Sequence, residues 1–201
     1  MSVQTKPATR APIASRGPSA RPSFAAVAVG LALDGRGWKS IAVQLPGGAG
    51  HGQSYRAQAD PGSPWRETSR LLHLIRRARE RGWGRVCLIA ASSAALGVVD
   101  ALQHVGGDVA AVLWSPVLNP SIFGTADAKP RNPPTHSPSA ARTLLVHGTQ
   151  DEISPYDDAQ AYVRADPNHR KLVSLEGQGH IFHDARTWTT ASQAIFDFLG
   201  A

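Results

Sequence analysis

Three segments of the chain each place one reactive side chain just beyond a short apolar run. The first reads Ala90-Ala91-Ser92-Ser93-Ala94-Ala95 and follows the run Val86 to Ala90. A tight strand-to-helix turn there would hold the Ser92 hydroxyl outward, and small flanking residues would let the two backbones approach. The frequent form of such a turn is Gly-x-Ser-x-Gly. Here alanine stands at both glycine positions, keeping the small size at some loss of conformational freedom. Ser93 is the rival in a frame shifted by one, and alanine-rich turns of this kind also occur without any catalytic serine. The second segment, Gly148-Thr149-Gln150-Asp151, follows Thr143 to His147 and supplies a carboxylate. Such an acid can orient a histidine and stabilise its cationic form; the plain structural reading makes Asp151 a loop or capping acid. The third, Glu176-Gly177-Gln178-Gly179-His180, supplies an imidazole able to take a serine proton and return it to a leaving group, with Gly179 letting the loop present the ring. The chain has 8 histidines, so position and not residue type singles out His180.

The elements that must position these groups alternate. Ser23 is placed to cap a helix running through Leu33, and Ser40 to Leu45 reads as a short buried strand. A glycine-rich loop, Pro46 to Gly52, precedes Ser63-Pro64, where serine caps and proline enters the first helical turn. Leu71, Leu72, Ile75 and Ala78 then keep helical spacing up to Gly82. Val86 to Ala90, Val109 to Trp114, Thr143 to His147 and Lys171 to Leu175 read as further strands. A helix follows Ser92 and closes at Gly106-Gly107, and others begin near Ser154 and Thr187. Strands apolar on both faces and separated by amphipathic helices imply an α/β fold: a mostly parallel central sheet with helices on both faces. Sites in such sheets form beyond the carboxyl ends of the strands, where all three reactive residues fall. Ser115 to Ala140 carries six prolines and little periodicity, and is expected to be a long surface loop and not a helical lid.

These motifs resemble the α/β-hydrolase family over roughly Arg16 to the end. The resemblance is carried by Gly148-Thr149-Gln150-Asp151-x-x-x-Pro155 and by Gly177-Gln178-Gly179-His180. Gly37-Trp38-Lys39-Ser40-Ile41-Ala42-Val43 leading to Leu45-Pro46-Gly47 and Gly50-His51-Gly52-Gln53-Ser54 adds to it. It implies Ser92 as nucleophile, Asp151 as acid and His180 as base, in the family's chain order. The family usually enters its first helix from an apolar strand ending in His-Gly, whose following loop gives one N–H to the oxyanion hole. Here the corresponding stretch is Ala11 to Ser19, with Arg16 at the histidine position and Pro18 lacking an N–H. The expectation is therefore a hydrolase fold reduced at its N-terminal side, with the amides of Ser93, Gly17 and Ser19 as oxyanion donors.

Composition bounds the rest. At 201 residues with 42% apolar content, one domain is expected over residues 13–201, preceded by a disordered tail over residues 1–12 rich in Ala, Pro, Ser, Thr and Arg. The formal charge of +6 owes four units to Lys6, Arg10, Arg16 and Arg21, all before the first acidic residue, Asp34. Arg76, Arg77, Arg79, Arg81 and Arg85 cluster near a helix end, where cations suit the exposed carbonyls, and no aromatic platforms interleave them. No nucleic-acid partner is expected. Phe24 to Leu33 after a basic start reads as a first helix and not as a secretion signal, because Asp34-Gly35-Arg36-Gly37 offers no small-x-small cleavage site. No stretch is long enough for a membrane span. With Cys87 alone, neither an intrachain disulfide nor a cysteine zinc cluster can form. His147, Asp151, His180, His183 and Asp184 are metal-ligand types that could converge, but their spacing fits no strong zinc pattern. His183 and Asp184 are read instead as shaping a loop or capping the last helix, and Asp157 and Asp158 as first-turn acids of another.

The function expected is a cytoplasmic serine hydrolase acting on a carboxylic ester or related small-molecule acyl bond through an acyl-enzyme, with no cofactor and no metal. The alternative is a hydrolase-like binding protein with weak or absent turnover. No pattern fixes an oligomeric state.

Overall fold

The computed structural model describes residues 9–14, 29–30, 32–43, 54, 65–123 and 140–200. Six strands form one sheet in the order β2-β1-β3-β4-β5-β6. They are β1 (Thr9–Ala14), β2 (Trp38–Val43), β3 (Val86–Ala91), β4 (Val109–Trp114), β5 (Arg142–Gly148) and β6 (Arg170–Leu175). Every pairing is parallel. The longer α-helices among the described residues are α1 (Trp65–Glu80), α2 (Ala94–Leu102), α3 (Tyr156–Arg164) and α4 (Ala185–Leu199). Residues 29–30 and 32–34 are also helical and enter a turn at 35–37.

Alternation along the strands sorts the core into two layers. Leu88, Ala90, Ala111, Leu113 and Leu145 pack with Leu71 and Ile75 of α1, Ala95 and Val98 of α2, and Ala159 and Tyr162 of α3. Cys87, Ile89, Val112, Leu144 and Val146 pack on the opposite face with Ile195 and Leu199 of α4 and with Val29 and Leu33. Arg36 holds its guanidinium 4.0 Å above the Phe196 ring on that second face. A sheet buried on both sides needs strands that are apolar at every position, and β3 and β4 (VCLIAA and VAAVLW) supply that.

Two expectations change. The tail was drawn through residue 12, yet Thr9–Ala14 pair with β2 on one side and β3 on the other, inside the sheet. Its Pro12 and flanking polar residues hid a strand that parallel neighbours hold in place; residues 1–8 lie outside the described residues. The stretch after β4 was expected at the surface, but Ser115 to Leu118 are buried, because the chain passes beneath the turn at Ser92: Val117 N–H donates to Ser92 O at 3.1 Å. Residues 124–139 of that stretch, the loop Pro46 to Gly52 and most of the helix expected from Ser23 lie outside the described residues. Asp184 does cap α4, accepting from Thr187 N–H at 2.8 Å, and Asp157 and Asp158 do occupy the first turn of α3.

No helix among the described residues is long and apolar enough to cross a membrane. Of the clustered arginines, Arg77 meets Glu80 at 2.7 Å and Arg79 meets Asp108 at 2.6 Å.

Candidate active site

Ser92 sits where β3 ends and α2 is about to begin, with φ 54°, in the left-handed region that side-chain-bearing residues rarely adopt. Three backbone hydrogen bonds hold the residue there. Its N–H donates to Trp114 O at 3.0 Å, and its carbonyl accepts from Ala95 N–H and Val117 N–H, both at 3.1 Å. The strained turn lifts the hydroxyl off the sheet edge, and Ala91 and Ser93 are small enough to permit it. Ser92, not Ser93, reaches the histidine.

Asp151 and His180 come from the loops after β5 and β6, which touch backbone to backbone. Thr149 N–H donates to Leu175 O at 3.1 Å, Gln150 N–H to Gln178 O at 2.9 Å, and Gly177 N–H to Thr149 Oγ1 at 3.0 Å. Gly148 makes this approach feasible, since a Cβ there would lie 2.2 Å from Gln178 O and 2.5 Å from Gly179 O. The loop glycine with positive φ is Gly177, at +70°; at Gly179 a Cβ would meet only the movable end of the exposed Glu152 side chain, at 2.8 Å from Oε2. The histidine loop is pinned by Phe182, whose ring lies 5.1 Å from that of Trp114, and by Trp188, whose Nε1–H donates to Phe182 O at 3.2 Å.

The result is one connected line. His180 Nε2 lies 3.0 Å from Ser92 Oγ, and His180 Nδ1 lies 2.9 and 3.0 Å from the two oxygens of Asp151. The Asp151 side chain is fully buried and that of His180 is 10% exposed. Burial pushes the Asp151 carboxyl upward, but the hydrogen bond with His180 and those from Ser154 N–H and Ile153 N–H outweigh it, and the group is held below the usual carboxylate range. An ionised carboxylate there accepts the His180 Nδ1–H, which leaves Nε2 as the acceptor for the Ser92 Oγ–H. The arrangement can therefore raise the nucleophilicity of one hydroxyl.

Among the oxyanion candidates, Ser93 follows Ser92 directly and its N–H has no backbone partner among the described residues; Gly17 and Ser19 lie outside the described residues. Among the described residues no group of three or more histidine, cysteine or acidic side chains is arranged to hold a metal ion. Cys87 is buried in β3 and its thiol is pushed up to about 12 by burial, so it offers no competing thiolate. The large apolar side chains exposed among the described residues are Ile122, Ile153 and Ile181, on the loops after β4, β5 and β6. In the sequence Gly148 stands out only as part of the motif before the acid and His147 only as a strand end and candidate metal ligand; the close approach of two loops at one and the burial of the other beside Asp151 are visible only in the fold.

The fold has counterparts among solved structures. A puromycin-hydrolyzing peptidase from Mycobacterium tuberculosis superposes with a TM-score of 0.80 at 17% identity, over 100% of this chain and 35% of that one. An α/β-superfamily protein from Xanthomonas campestris pv. campestris gives 0.69 at 20% identity, over 96% of this chain and 98% of that one. The chain has the α/β-hydrolase fold. Est1E from Butyrivibrio proteoclasticus, bound to ferulic acid, gives 0.76 at 14% identity, over 98% of this hydrolase-fold chain and 92% of its own. The present chain thus spans about a third of the peptidase's length and nearly the whole of the other two. A family model described as TAP-like protein matches residues 121–201, which include the acid and histidine loops. No curated protein matches the chain.

Proposed function

We propose that the protein is a serine hydrolase that cleaves a carboxylic ester or related acyl bond through an acyl-enzyme, without a cofactor. The observation that carries this reading is the unbroken contact from Ser92 Oγ through His180 to a buried, ionised Asp151. In the first half-reaction Ser92 Oγ attacks the carbonyl carbon while His180 Nε2 accepts the hydroxyl proton. The tetrahedral oxyanion is met by backbone N–H groups, Ser93 among them, and its collapse expels the leaving group, which takes the proton from His180. Water then repeats the sequence on the acyl-enzyme, releasing the acid and restoring the serine. One donor in such a hole commonly contributes about 3 kcal/mol of transition-state stabilisation, so the proposal includes a second donor besides Ser93.

Exposed Ile153, whose N–H bonds Asp151, and exposed Ile181, next to His180, favour a substrate with an apolar or aromatic acyl or leaving group. The ferulic acid held by one similar structure is of that kind, while the peptidase among the neighbours keeps amides within the reaction class.

The test is Ser92→Ala assayed on short p-nitrophenyl esters, together with labelling of the parent protein by a fluorophosphonate. Stoichiometric labelling at Ser92 and at least about a thousandfold fall in kcat on substitution are expected. A folded parent protein that neither labels nor turns over any ester would support the alternative, a binding protein on the same fold.

A further inference from the structure

His147 occupies the penultimate position of β5, has no exposed surface, and neither ring nitrogen has a hydrogen-bond partner. Leucine or phenylalanine would fill such a place without stranding two polar atoms, each costly to bury unpaired. The proposed proton path does not use His147. Its Nδ1 nevertheless lies 3.4 Å from Asp151 Oδ2, the same oxygen that stands 2.9 Å from His180 Nδ1. The carboxylate therefore has an imidazole on each side, one leading to the serine and one buried in the sheet layer.

The electrostatics select one form of this ring. A carboxylate only accepts, so a bare Nδ1 would direct a lone pair at an anion, whereas an Nδ1–H directs its positive end there. At 3.4 Å and without hydrogen-bond alignment this is a charge–dipole contact. Burial holds the imidazole below the usual histidine range and His180 acts in the same direction, while Asp151 pulls the other way. The charged and aromatic groups at the ring are Asp151 and His180 from their loops and Tyr156 of α3, with ring centroids 5.8 Å apart. The Tyr156 hydroxyl is engaged with Ser174 Oγ. Ser115 is at the level of His147, because the register pairs Trp114 with Val146. Its Oγ is likewise buried without a hydrogen-bond partner.

We propose that His147, as the neutral Nδ1–H tautomer, is a positioning residue that holds the Asp151 carboxylate from beneath and shares its charge with His180. Its kinetic consequence rests on the reading of Ser92, Asp151 and His180 as a hydrolytic triad; its tautomer does not. Removing the Nδ1–H leaves Asp151 a stronger partner for the His180 imidazolium. The acid limb of the kcat/KM profile should then move to higher pH by about half a unit or more. An asparagine can return an N–H near the Nδ1 position.

The experiment has two arms. In the first, histidine-¹⁵N-labelled parent protein is followed by NMR from pH 5 to 9, the His147 signals being those lost in His147→Asn. A neutral Nδ1–H tautomer that resists protonation through pH 6 is expected; an Nε2–H tautomer, or protonation at the ordinary histidine pH, overturns the proposal. In the second, pH profiles on p-nitrophenyl acetate are compared for the parent, His147→Leu and His147→Asn. The acid limb should rise in the leucine variant and return toward the parent in the asparagine variant; identical limbs in all three overturn the proposal. If Ser92 resists fluorophosphonate, the triad reading fails by itself, and the NMR arm still decides whether His147 supports Asp151. The same arm decides if the leucine variant does not fold.

Discussion

The half of the candidate site that holds Ser92, the proposed nucleophile, at the end of β3, and the half that holds Asp151 and His180, the proposed acid and base, at the ends of β5 and β6, reach the same edge of the sheet by opposite means. Ser92 is held in a left-handed conformation with no glycine on either side, and three backbone hydrogen bonds oppose the strain. Asp151 and His180 stand on loops whose backbones nearly touch, an approach open only because Gly148 lacks a side chain. One half therefore carries its cost in a dihedral angle, the other in close packing and in a buried imidazole without a full partner. Substitutions that act on angle, space or burial should separate the two.

The largest effect is expected at Gly148. A methyl group at 2.2 Å from Gln178 O forces the acid and histidine loops apart, and displacement of a reacting group by about 1 Å can cost a hundredfold in rate. Gly148→Ala should lower kcat on p-nitrophenyl esters by about a hundredfold or more, while fluorophosphonate still reaches Ser92 slowly. A variant with parental kcat would show that the two loops are not fixed by that contact.

This half was also the more legible of the two in the sequence. Gly148 to Asp151 and Gly177 to His180 advertise themselves because close approach and a positive φ leave glycine few substitutes. Ser92 was weaker as a signal, since alanines at both flanks are common and nothing in residue type reveals a φ of 54°. The strands of the sheet's middle were readable because they are apolar at every position. β1 was not: Thr9, Arg10 and Pro12 look like a tail, and the pairing with β2 and β3 that holds them is nonlocal. Burial of Ser115 to Leu118 was hidden for the same reason, its cause being a contact with a turn more than twenty residues earlier.

The buried imidazole gives the next effect. The folded protein disfavours protonated His147, so below a pH of about 6.5 the unfolded chain takes up the proton first and stability falls. The contribution is fully present above that pH and is lost on acidification, with a slope approaching about 1.4 kcal/mol per pH unit for one proton. Asp151, also held low, adds a loss of the same sign only further down, near pH 4 and below. Urea titrations of the parent and His147→Leu at pH 7.5, 6.5 and 5.5 should show a shallower decline for the variant over that window. Parallel declines would mean that the ring protonates as freely folded as unfolded.

In the nucleophile half the test is relief of strain. Ser92→Gly removes the penalty of a left-handed serine, about 1 kcal/mol, while deleting the hydroxyl. The variant should unfold at higher urea than the parent with no measurable esterase activity. Equal or lower stability would mean that the three hydrogen bonds around residue 92 leave little strain to relieve.

The smallest effect concerns what enters between the two halves. Ile181 adjoins His180 and is 45% exposed, and Ile153 donates its N–H to Asp151 Oδ1 at 2.9 Å while its side chain is 50% exposed. A partly exposed isoleucine touching an acyl chain contributes through the area it covers, at about 25 cal/mol per Å². Loss of some 20 to 40 Å² of such contact corresponds to about two- to fivefold. Ile181→Ser should therefore lower kcat/KM for p-nitrophenyl octanoate by about that factor and leave p-nitrophenyl acetate nearly unchanged, because the acetyl group is too short to meet the side chain. An equal fall for both esters would place the effect in the histidine loop itself and not in substrate contact, which would tie the apolar rim to the acid–base half alone.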